Sequence, residues 1–167
     1  IIEGIDEKQQ YFTLEAGAHL KLEESPFKKA ELQLRRFWDE VESAENRLVF
    51  QGVLEFPVTE ENLTLAAGVD YLGGSFQNAL ISDFQNLEGI DYGFLQASIR
   101  PSLNIIRDNL TINLGANITY GLDTENSESN FYIYPAVRAS YRLLDEGAIA
   151  YGGVEGELRQ NSYHGFV

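Results

Sequence analysis

The stretch "TINLGANITYGL", Thr111 to Leu122, permits few folds. With Leu110 in front, it divides into two interleaved series. Leu110, Ile112, Leu114, Ala116, Ile118, Tyr120 and Leu122 are apolar, whereas Thr111, Asn113, Gly115, Asn117, Thr119 and Gly121 are small and polar. Side chains take opposite faces in turn along a strand, so this is a strand with one apolar and one wetted face. A soluble sheet turns the apolar face to a core. A membrane barrel turns it to lipid and keeps the polar face for its lumen.

The pattern recurs along the chain. Phe12, Leu14, Ala16, Ala18, Leu20 and Leu22 alternate with Tyr11, Thr13, Glu15, Gly17, His19 and Lys21. Similar alternation runs through "AELQLR", "RLVFQGVLEF", "LTLAAGVDY", "YGFLQASIRPSLNII", "FYIYPAVRASYRL" and "AIAYGGVEGELR". The spacing predicts about eight strands, with a short helical turn conceivable only in "RRFWDEVESAENRL". Pro101 and Pro135 fall inside strands and predict bulges or positions near a rim.

The connections predict an up-and-down meander. Turns at Ser25–Pro26, Glu60–Asn62, Arg107–Asn109 and Asp145–Gly147 alternate with longer loops, Phe37–Asn46, Gly73–Asp91 and Asp123–Asn130. Every second connection of a meander lies at one end, so the long loops share an end. Outer-membrane barrels pair short periplasmic turns with longer exterior loops.

Composition narrows the classes. No run of about 18 apolar residues exists, which excludes a transmembrane helix but not a barrel, whose strands need only about 10 alternating residues. The mean hydropathy of -0.23 therefore decides nothing between a soluble sheet and a barrel. A net charge of -14 argues against nucleic acid as a partner. With 0 Cys, disulfides and thiolate chemistry are out. The opening "IIEGIDEKQQ" has no basic segment, apolar core or initiator Met, and reads as a processed chain or an excerpt.

The expected architecture is all-β: an antiparallel up-and-down transmembrane barrel over 1–167, or a segment of a larger one. Ala and Gly are frequent in the apolar series, which suits lipid better than a tightly packed core. Phe12, Phe56, Tyr71, Tyr120, Phe131 and Tyr141 near strand ends suit interface anchors. The residues expected to face the lumen are Glu15, His19, Lys21, Glu31, Arg35, Arg100, Arg138, Arg142, Glu155, Glu157 and Arg159.

No catalytic constellation emerges, and no cofactor or metal site is expected. His19 beside Glu15 reads as lumen charge, His164 near Ser162 as a loop residue, and the acidic runs "DEVESAEN" and "ENSESN" as solvated loops without cation-loop spacing. The alternative to the barrel is a soluble antiparallel barrel or sandwich that binds a ligand or protein partner.

The run "FYIYPAVRASYRLLDEGAIAYGGVEGELRQNSYHGFV", Phe131 to Val167, resembles part of the TonB-dependent-receptor-like outer-membrane barrels of Bacteroidetes. The resemblance is carried by Tyr134, Pro135 and Val137, the acidic turn Asp145–Glu146, then Ala150, Tyr151, Gly153, Val154 and Gly156, and Gln160, Asn161, Ser162, Tyr163, Phe166 and Val167. It implies a bacterial outer-membrane location, the lipid bilayer as partner, other envelope proteins beside it, and a role in transport or envelope structure. No plug domain or TonB box is recognisable. Such barrels continue beyond this point, so a piece of a larger barrel is expected.

Overall fold

The computed structural model describes residues 10–40, 43–76, 89–144 and 147–166. Eight strands follow one another: β1 (Tyr11–Lys21), β2 (Phe27–Asp39), β3 (Ala44–Val58), β4 (Glu61–Phe76), β5 (Ile90–Arg107), β6 (Leu110–Asp123), β7 (Glu128–Leu144) and β8 (Ala148–Glu155). They form one sheet in chain order, each antiparallel to the next. The all-β, up-and-down expectation holds. The sheet is open: among the described residues β1 is paired with β2 alone and β8 with β7 alone.

The strand ends differ from expectation. Phe37–Asn46 is mostly ladder, with Phe37 opposite Glu45 and Trp38 opposite Ala44, so the connection shrinks to 40–43 and β2 replaces the helical turn. Asp123–Asn130 shrinks likewise to a turn over 124–127. Residues 77–88 of the third loop lie outside the described residues, but Phe76 is already opposite Ile90. At the other end the connections are 22–26, 59–60, 108–109 and 145–147, so loop length does not alternate strictly. Backbone bonds carry a ladder on through Glu, Asn and Ser after the apolar pattern stops. The two tightest turns place Thr59 and Asp108 at φ 60 and 42, where glycine is usual.

Register gathers each series onto one face. Ala18, Leu32, Phe50, Val69, Ala97, Tyr120 and Phe131 form a continuous row from β1 to β7. Phe56, Leu63, Leu103, Leu114, Val137 and Val154 form another from β3 to β8. Charges on this face stand only towards the strand ends, as Lys28 and Arg36 on β2, Glu61 on β4, and Asp91 and Arg107 on β5. Between those last two, Leu95 to Ile105 rises roughly 34 Å along the strand. At the tilt of about 45° usual for transmembrane strands, that length would span about 24 Å.

The two prolines are accommodated differently. Between β5 and β6 the ladder passes from Ile99–Ile118 to Ser102–Gly115 without a register change, and Pro101 lies in the gap. Gly115 fits beside it because a Cβ there would come within 2.9 Å of the Pro101 carbonyl oxygen. Pro135 stands where β8 ends: its carbonyl accepts the last bond on that side, from Gly156 N–H at 3.0 Å.

Burial is the reverse of a soluble sheet's. Among the described residues the buried hydrophobic side chains are Phe37, Leu72 and Ala136, and all three lie on the polar face with Asp39, Glu45, Asn117 and Thr119. The apolar face is bare, with Leu14, Ile133 and Val154 each 64% exposed.

Candidate functional site: the polar face

The expected lumen residues divide into those on the sheet and those beyond it. Glu15 lies opposite Arg35, and His19 opposite Glu31. Lys21 lies opposite Lys29, a like-charged pair that Glu31 relieves by binding Lys29 at 2.7 Å. Arg138 binds Glu155 across β7 and β8, and Arg142 stands opposite Ile149 on the same face. Arg100 projects from β5 to Glu157 at 3.6 Å. Glu157 and Arg159 are not strand residues: β8 stops at Glu155, and the two bind each other at 2.5 Å in the segment that follows. The alternating pattern runs on through "EGELR", so periodicity alone does not reveal the departure.

That segment, Gly156 to Phe166, crosses the polar face back to β1. Asn117 on β6 donates to the Gly156 carbonyl at 3.4 Å, and Gln160 donates to the Phe94 carbonyl on β5 at 3.4 Å. Arg35 on β2 donates to Ser162 Oγ at 3.2 Å. The Tyr163 N–H donates to Glu45 Oε2 on β3 at 2.6 Å. The Tyr163 ring meets Phe76 at 4.8 Å, Phe37 at 5.3 Å and Tyr11 at 6.5 Å, while His164 packs edge-on against Phe37 at 5.1 Å. Tyr11 and Phe76 are three strands apart, about 14 Å in a flat sheet. One ring reaches both, so the sheet curves towards its polar face. Burial, with Tyr11 and Asp39 alongside, pushes the Tyr163 phenol up to about 12.

Two residues expected in loops, Asp39 and Glu45, sit under this segment. Glu45 is 1% exposed. It accepts from Tyr92 Oη at 3.0 Å and has Arg35 at 3.6 Å, while its Oε1 makes no hydrogen bond. Asp39 caps the hairpin by accepting from the Ser43 N–H at 2.9 Å and takes a weak bond from Tyr163 Oη at 3.4 Å. Arg47 and Asp70 were also absent from the expected set. They form a two-point pair at 2.9 and 2.5 Å, although their parity had already placed them in the polar series. A recess of about 470 Å³ opens between this pair, Glu15, Gln33, Arg35 and Gln51.

Compared with known protein families, curated proteins and solved structures, the chain matches none significantly. The likeness of Phe131–Val167 to a barrel family therefore stands on those residues alone. The side chains on this face present charge of both signs around the recess beside Arg47 and Asp70. Ser162 is bound to Arg35, and His164 lies against Phe37.

Proposed function

We propose that the chain is part of the wall of a transmembrane β-barrel in a bacterial outer membrane, serving transport or the structure of an envelope complex. One observation carries this reading: an exposed apolar face, free of charge between its rims, continues across all eight strands, while the buried side chains of the sheet stand on the polar face beneath Gly156–Phe166. Water would penalise so large an apolar surface, and a sandwich or ligand-binding barrel would bury it. Lipid favours it, and its height of about 24 Å suits the apolar band of about 25 Å typical of outer-membrane barrels. Trp38 and Phe12, stacked at 5.6 Å, and Tyr120 beside Phe131 lie towards one rim, with Phe56 and Tyr141 towards the other.

Bare backbone edges are not tolerated in lipid, so in this reading the free sides of β1 and β8 are paired, with each other or with further antiparallel strands. The resemblance of Phe131–Val167 supports the same setting. Flotation with phospholipid vesicles tests the reading. The refolded protein rises with the vesicles and precipitates when detergent is withdrawn. A monodisperse monomer in plain buffer would contradict it.

A further inference from the structure

We propose that Gly156–Phe166 is a releasable strap that constricts the lumen near the Asp39 and Phe76 strand ends, with Tyr163 as its latch. This rests on the barrel reading. The strap leaves the wall at a defined point, where β8 stops at Glu155 and Gly156 bonds back to Pro135. It then spans from β8 to β1 through one attachment after another: Asn117, Arg100, Phe94, Arg35 and Glu45. A segment lying on the polar face over this width obstructs any path along that face.

The chemistry beneath the latch makes docking reversible. A permanent plug would rest on apolar packing. Here the covered groups include two carboxylates, Asp39 at 5% and Glu45 at 1% exposure. Glu45 has Arg35 at 3.6 Å and Arg47 within electrostatic reach, and both of its hydrogen bonds fall on Oε2, which leaves Oε1 without one. Burying two carboxylates, with the Glu45 Oε1 left without a hydrogen bond, opposes docking. The rings of Tyr11, Phe37 and Phe76 around Tyr163, and its backbone bond to Glu45, favour docking. When the strap lifts, water reaches both carboxylates and the aromatic contacts are lost. Opposed contributions of this kind allow two arrangements of similar energy.

The test uses the full-length protein in planar bilayers, with spin labels at Asn161→Cys on the strap and Gln33→Cys on the wall. Tyr163→Ala broadens and lengthens the label distance distribution and raises conductance several-fold. Conversely, Arg35→Cys and Ser162→Cys joined by a reducible bis-thiosulfonate linker hold conductance at or below the parent level until reductant is added. An unchanged distance distribution in Tyr163→Ala, or a freed strap with unchanged conductance, overturns the proposal. So does a cross-linked strap that conducts like Tyr163→Ala. Vesicle flotation of the same samples reads the barrel assignment separately, and the distance measurement in detergent judges the strap even if flotation fails.

Discussion

Leu114 and Asn113 are neighbours in the chain and belong to opposite surfaces. Leu114 sits in the apolar row between Leu103 and Val137; Asn113 faces the groove between Asn104 and Arg138. In the barrel reading, arginine at Leu114 puts a charge against lipid, so Leu114→Arg destabilises the inserted protein by about 2–4 kcal/mol. Asn113→Arg lands among polar groups and costs far less. Reversible urea unfolding in lipid vesicles measures both, and equal losses would mean that both faces are packed against protein. This division was legible in the sequence because the strand period is two and a one-residue slip would exchange the faces. Glu45 was not legible. Its partner Tyr163 lies 118 positions away, and no local pattern marks such a contact.

Elements bring out a different kind of constraint. Gly152 and Gly153 are adjacent in β8, yet a Cβ at Gly152 meets nothing within 4 Å while one at Gly153 comes within 2.5 Å of the Val137 carbonyl oxygen. Gly153→Ala therefore pushes β8 off β7 at a cost of about 1–3 kcal/mol, and Gly152→Ala leaves the pairing intact. Amide exchange across Ala148–Glu155 separates them, and similar protection in both variants would show that β7 yields easily. The sequence pattern located all eight strands but misjudged where several end. It failed in two ways. Polar strand ends, such as Asp39 with its N–H on the Ser43 carbonyl, remain paired through backbone bonds that side-chain patterning does not record. Beyond Glu155, the alternation of "EGELR" persists after pairing has ceased, at the point where Gly156 turns inward.

At the scale of the whole molecule, the strand ends at Asp39, Phe76 and Asp123 share one end of the sheet, and the turns at 59–60 and 108–109 share the other. In the barrel reading the first end faces the exterior, because tight turns lead across the bilayer during assembly. With 0 Cys in the sequence given, single thiols report orientation cleanly. Glu125→Cys reacts with an impermeant maleimide on intact cells and Asn109→Cys does not; the reverse pattern would invert the wall. The central claim, that the apolar face meets lipid, is tested most directly by tryptophan quenching. The sequence holds 1 Trp, so Trp38→Phe gives a silent background for one new tryptophan. In vesicles of brominated phospholipid, Leu114→Trp is strongly quenched and Asn113→Trp is nearly unquenched. Equal quenching at the two positions, or none at Leu114→Trp, would contradict the account.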